Sequence, residues 1–303
     1  MRAKIYFAIL LAILALALGA CGLIPDTETV MLITPSATPT WNPLTPTVEP
    51  TLTPAPTQTA TLTPTPFPTF TRLPPTPGPS PTPGPTPTGA PMEVAFPTVD
   101  DAPLRAALYG AGNRIVILAH QRNGERTTWN GFARVLQKNG YTALSFDFRG
   151  YGASGGDADF NKMDTDILAA VTFARQQLHA DRIAIIGASM GGTFATAALG
   201  DPLVKGVALL SSPPKVENFT VSTAALQLPD PLKYFIGCDA DALYMAGLTD
   251  MFKQAVAKQD KLHPARAELV SLKCAAHGLE IFSGPQKERL TELLLGFVQA
   301  AFQ

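Results

Sequence analysis

The sequence has no surplus of positive charge: 23 Lys and Arg stand against 24 Asp and Glu, a formal net charge of −1. Nucleic acid is bound through clustered Lys and Arg that neutralise its phosphates, so no nucleic-acid partner is expected. Metal-ligand spacings of His and Cys are missing, as is a Gly-rich dinucleotide fingerprint, so neither metal nor other cofactor is expected. The apolar run from Ile5 to Leu18 stops short of the roughly 17–25 residues that cross a bilayer. Histidine is scarce, with four in 303 residues, so the place of each one carries information.

What is present divides the chain into three regions with different physics. Residues 1–20 carry Arg2 and Lys4, then the apolar run, then small residues, which is the build of a signal peptide. Leu18-Gly19-Ala20-Cys21 resembles the bacterial lipobox, which implies acylation of Cys21 and a membrane-anchored, extracytoplasmic lipoprotein. Two or more acyl chains would meet the requirement for stable anchoring. The alternative is an ordinary signal peptide in which Cys21 is incidental. Residues 21–92 form a Thr/Pro-rich spacer that holds 20 of the 29 prolines. Proline lacks the N–H that helices and inner strands need, and the segment has too few apolar side chains to offset its ordering entropy. An extended stalk of roughly 3.1 Å per residue is expected.

Residues 93–303 have globular composition, and roughly 210 residues suit one domain with one core. Strand-like runs fall at residues 104–109, 115–119, 143–146, 183–186, 207–210, 234–236 and 268–272. Helical patterns fall at 129–138, 163–178, 193–199, 249–258 and 287–301. Strands alternating with helices predict an α/β fold, a doubly wound, mostly parallel sheet. In such sheets the site lies at the carboxyl ends of the strands.

The stretch Gly187-Ala188-Ser189-Met190-Gly191-Gly192 sits between a strand-like run and a helical one. Serine at a tight strand-to-helix turn has a strained backbone and an exposed hydroxyl, and the flanking glycines let neighbouring chain approach. With His120 after one strand, Asp147-Phe148-Arg149-Gly150-Tyr151-Gly152 after the next and Ala275-Ala276-His277-Gly278 after the last, the order of motifs resembles the α/β-hydrolase superfamily. The closest similarity is to its dienelactone-hydrolase-like and serine-aminopeptidase-like members, and it covers nearly all of residues 93–303. The resemblance implies a nucleophile after the fifth strand, an acid after a later strand and a histidine after the last.

Ser189 is then the expected nucleophile. His179 and His263 precede their strands and lie at the wrong sheet edge. The resemblance implies that His120 belongs to the oxyanion loop and that His277, followed by Gly278, is the base. Two carboxylates follow the strand that ends at Gly237, Asp239 and Asp241. The superfamily spacing favours Asp241, while Asp239 can cap the turn. Asp147 resembles a structural position that ties down its own loop. Met190 supplies one oxyanion amide, and the loop after His120 supplies the other. The superfamily pattern points to Arg122, but Gln121 stands where a glycine is usual, so Gln121 is a competing donor. The Arg122 side chain either attracts an anionic substrate or is simply solvated.

Residues 212–233 are too few for a helical cap, so no large cap and an open site are expected. The reading is a serine hydrolase that is carboxylesterase-like, acting on a small-molecule or polymer-attached acyl group. A peptidase or aminopeptidase-like amide hydrolase and a non-catalytic surface binding protein are the competing readings. Cys238 and Cys274 lie three residues before Asp241 and His277, respectively. If that acid and base touch and their strands are neighbours, as the resemblance implies, the two cysteines are close enough for a disulfide. Two buried free thiols are the alternative.

Overall fold

The computed structural model describes residues 89–258 and 266–303. The expected signal peptide, Cys21, nearly all of the Thr/Pro-rich spacer and His263 lie outside the described residues. The strands are β1 (Met92–Pro97), β2 (Pro103–Tyr109), β3 (Arg114–Ala119), β4 (Thr142–Phe146), β5 (Arg182–Ala188), β6 (Val204–Leu210), the short β7 (Lys215–Val216) and β8 (Phe219–Thr220), β9 (Leu232–Cys238) and β10 (Ala267–Leu272). The helices are α1 (Asn130–Lys138), α2 (Met163–Gln176), α3 (Met190–Ala195), α4 (Thr223–Leu226), α5 (Ala242–Val256) and α6 (Lys287–Ala301). Eight strands form one sheet in the order β1-β2-β4-β3-β5-β6-β9-β10, and β2 is antiparallel to both its neighbours while the rest are parallel.

The inner strands read as continuous apolar runs because both of their faces are covered. Along β3, Ile115 and Ile117 face one core while Val116 and Leu118 face the other. The same alternation separates Ile185 from Ile186 in β5 and Leu209 from Leu210 in β6. Met163, Ile167, Phe194 and Leu248, from α2, α3 and α5, close the first core. Phe132 and Leu136 of α1, with Leu290, Leu294 and Phe297 of α6, close the second. Register brings Ala119 opposite Gly187, Ala188 opposite Leu210 and Cys238 opposite Leu272, so the carboxyl ends of five strands form one edge.

Beyond small shifts of element ends and the short β7, β8 and α4, three elements differ from the sequence expectation. Strand β1 was not foreseen: it is an edge strand bounded by prolines, and of its residues only Phe96 is fully buried, so its apolar signal is faint. Helix α3 starts at Met190 rather than 193, because the Ser189 turn feeds directly into it and the glycines at 191 and 192 hide the pattern. Helix α5 starts at Ala242 rather than 249: residues 242–248 are apolar almost throughout, so no polar face marks the helix there, although Met245 and Leu248 pack on the core. Between β6 and β9, the described residues form only the β7–β8 hairpin and the single turn α4, with no large cap.

A buried ionic cluster locks the loop after β4. Arg149 is 3% exposed and donates from Nε and Nη2 to Asp166 Oδ1 at 2.8 and 2.6 Å, while its amide donates to Asp166 Oδ2 at 2.9 Å. Its remaining guanidinium nitrogen reaches Asp100 in the β1–β2 turn at 2.9 Å. Removing one partner of a buried pair leaves the other charge unpaired, which costs about 3–5 kcal/mol. Arg149→Met is therefore expected to lose about that much in urea unfolding, because the fully buried Asp166 keeps only its backbone bond. A loss below about 1 kcal/mol would mean that the cluster is not a brace.

Candidate active site

Ser189 stands between β5 and α3 with φ +48° and ψ −116°, a region costly for any residue with a β-carbon. Its amide donates to the Leu210 carbonyl at 2.7 Å, which fastens the turn to the end of β6. Gly191 explains the glycine after it. A β-carbon at Gly191 would lie 2.5 Å from the Ala119 carbonyl oxygen and 2.6 Å from that of His120, so the first turn of α3 rests directly on the end of β3. Met190 heads α3, where no intrahelical carbonyl can reach its amide.

His277 follows β10, and its Nδ1 lies 2.8 Å from Asp241 Oδ2. Both side chains are largely shielded, at 26% and 14% exposure. The carboxylate fixes the proton on Nδ1 and leaves Nε2 as the acceptor. The Asp241 amide donates a hydrogen bond to the Cys238 carbonyl at 3.1 Å, closing the turn after β9, and α5 starts at the next residue. Ser189 and His277 line the same cleft of about 820 Å³ at the carboxyl edge of the sheet. No hydrogen bond joins them among the described residues, and such contacts often close only when substrate arrives.

Asp239, the other candidate acid, points elsewhere: its Oδ2 accepts from Lys273 Nζ at 2.8 Å and its Oδ1 from the Cys274 amide at 3.2 Å. The Lys273 ammonium holds the Asp239 carboxyl below its usual value. A disulfide joins Cys238 to Cys274 with Cα atoms 4.9 Å apart, so the loop before Asp241 is linked covalently to the loop before His277.

Asp147 is 1% exposed, and its carboxylate accepts from the amides of Arg126 and Ala153 at 2.6 and 2.9 Å, which binds its own loop to the one after β3. His120 is fully buried; Nδ1 meets the Gln121 carbonyl at 2.8 Å and Nε2 accepts from the Phe148 amide at 3.1 Å. One nitrogen donates and the other accepts, so the ring is neutral, and burial pushes its pKa down. His179 sits before β5, at the opposite edge of the sheet from Ser189, with φ +51°.

The loop after β3 lines the cleft with both Gln121 and Arg122. The Gln121 side chain has a task that sequence reading missed: its Oε1 accepts from the Leu279 amide at 2.9 Å, tying the loop after β3 to the turn after His277. The Arg122 side chain is solvated, at 49% exposure, but it is not free for an anion. It pairs with Glu217 at 2.9 Å and lies 4.3 Å from the Phe160 ring centroid. Sequence reading also missed two walls of the cleft. One is Pro213 to Glu217, leading into the β7–β8 hairpin, and the other is Leu243 with Tyr244 on α5. The tilted Tyr244 ring lies 4.1 Å, centroid to centroid, from the His277 imidazole. Helical spacing from Asp241 would have found Tyr244 had α5 been started at its true first residue.

The sheet order, the Ser189 turn and the carboxylate-bound histidine after the last strand define a hydrolase of the α/β fold. The family model described as alpha/beta hydrolase fold matches residues 114–292, more than half of the 303, and the chain belongs to that family. Among solved structures it is similar to an esterase of Pyrococcus furiosus, with TM-score 0.58 and 20% identity over 69% of this chain and 90% of that one. It is likewise similar to a dienelactone hydrolase of Anabaena variabilis, with TM-score 0.54 and 20% identity over 70% and 98% of the two chains. A thiohydrolase of Aspergillus aculeatus is 38% identical over 117 residues, a match spanning 35% of this chain and 36% of that protein's length.

Proposed function

We propose that this chain is a serine hydrolase of carboxylic esters, held on the outer side of a membrane by acyl chains on Cys21. The observation that carries the chemistry is Asp241 Oδ2 at 2.8 Å from His277 Nδ1, with His277 and Ser189 on one cleft. Ser189 Oγ attacks the ester carbonyl carbon while His277 Nε2 takes its proton. Asp241 holds the imidazolium that results. The carbonyl oxygen becomes an oxyanion facing the Met190 amide and an amide of the Gln121–Arg122 loop. The carbon–oxygen bond of the leaving group then breaks, His277 returns the proton, and the alcohol departs. Water, activated by His277, attacks the acyl-serine and releases the carboxylic acid. This sequence consumes only ester and water.

Pro213, Pro214, Val216 and Leu243 give the cleft an apolar lining beside the serine, which suits a small-molecule or polymer-attached acyl group. Thioesters are the second reading, favoured by the thiohydrolase match. The full-length protein should be assayed on p-nitrophenyl esters, an acyl thioester and aminoacyl p-nitroanilides. The highest kcat/KM is expected on an ester; turnover of the amides alone would establish a peptidase, and turnover of none would favour a binding protein. Cys21→Ser is expected to move the protein from the detergent phase to the aqueous phase on partitioning, or to block processing. Unchanged partitioning would make Cys21 incidental.

A further inference from the structure

The backbone of His277 is held from both sides. Ahead of it, Cys274 is bonded to Cys238. Behind it, Leu279 is tied to Gln121, and Glu280 closes a turn with its amide on the His277 carbonyl at 3.1 Å. The side chain is held less completely. The 2.8 Å contact with Asp241 holds one ring nitrogen only. A second contact lies against the ring. Among the described residues, Tyr244 is the one aromatic ring packed against His277, at 4.1 Å between centroids and 52° between planes.

Tyr244 is three residues after Asp241, the N-cap residue of α5, and stands in that helix's first turn. The start of α5 therefore brings both contacts together, the carboxylate of its N-cap residue Asp241 on one ring nitrogen and the tilted Tyr244 ring, from its first turn, against the imidazole. The Tyr244 hydroxyl makes no hydrogen bond among the described residues, so the ring acts by contact. We propose that Tyr244 is a positioning residue that holds His277 Nε2 in line with Ser189. This rests on the proposed Ser189–His277–Asp241 assignment. Misplacing a reacting group by about 1 Å can cost on the order of 10²-fold in rate, so a single loosened contact has a measurable effect.

The test compares Tyr244→Leu, which keeps apolar volume but no ring, with Tyr244→Phe, which keeps the ring, both in the full-length chain. Tyr244→Leu is expected to lower kcat on an activated ester by about tenfold or more with KM within about twofold, while Tyr244→Phe stays within about twofold of the parent in both. A rise in KM alone would make Tyr244 a wall for substrate, and an equal loss in Leu and Phe would remove the ring contact as the cause. Either result overturns the inference. In a His277→Ala background, adding Tyr244→Leu is expected to change the residual rate by less than about twofold, because the ring acts through the imidazole. A further tenfold fall there would also overturn it. If His277→Ala alone retains parental activity, both the triad and the positioning role fail. If His277→Ala is inactive and Tyr244→Leu is not impaired, only the positioning role fails.

Discussion

Ser189→Ala is expected to lower ester turnover by roughly 10³-fold or more, with the remainder supplied by the oxyanion donors and substrate binding. Folding should be untouched, because the hydroxyl makes no hydrogen bond among the described residues and alanine keeps the same backbone. Ser189→Gly separates stability from activity at this position. Ser189 holds φ +48°, a conformation that costs a residue with a β-carbon on the order of 1 kcal/mol and glycine almost nothing. The glycine variant should be as inactive as the alanine variant yet more stable than the parent by up to about 1 kcal/mol. Kinetics on a p-nitrophenyl ester and urea unfolding of the same preparations read both quantities. Turnover within tenfold of the parent in either variant would remove Ser189 as nucleophile.

The second large effect discriminates between two neighbouring carboxylates. Asp241→Asn puts an amide opposite His277 Nδ1, where it can donate and so favour the wrong tautomer; a loss of about 10⁴-fold in kcat is expected, with KM little changed. Asp239→Asn should stay within about tenfold, since Asp239 faces Lys273 and the Cys274 amide and contacts no reacting group. Steady-state kinetics of the two variants on one ester decide the matter. Asp239→Asn as the more damaged of the two would reverse the assignment.

The reach of sequence reasoning follows from how local each signal is. The inner strands were legible because burial on both faces turns each of them into an unbroken apolar run, as in Ile115 to Leu118. The Ser189 turn was legible because its strand, glycines and helix are contiguous. Asp241 was preferred over Asp239 only through family spacing; what separates them physically is the direction of each side chain, and that depends on Lys273, 34 residues beyond Asp239. The bond from Gln121 to the Leu279 amide joins positions 158 apart, and no local pattern announces it. Tyr244 escaped because residues 242–248 are apolar almost throughout, so no alternation with polar residues marks the start of α5. Edge strand β1 escaped because its flanking prolines look like a continuation of the spacer. The elements that were missed lie at the edge of the sheet or around the cleft, where burial is partial and the binary pattern weakens.

The central claim is that Ser189 is a nucleophile activated by His277. It is tested most directly by treating the full-length protein with a fluorophosphonate ester and mapping the adduct by peptide mass spectrometry. The account predicts one phosphonyl group per chain, carried on Ser189, blocking ester turnover as it forms and forming at least about 10²-fold more slowly in His277→Ala. An unlabelled Ser189 in protein that still turns over ester, or an inactivating adduct on another residue, would contradict it.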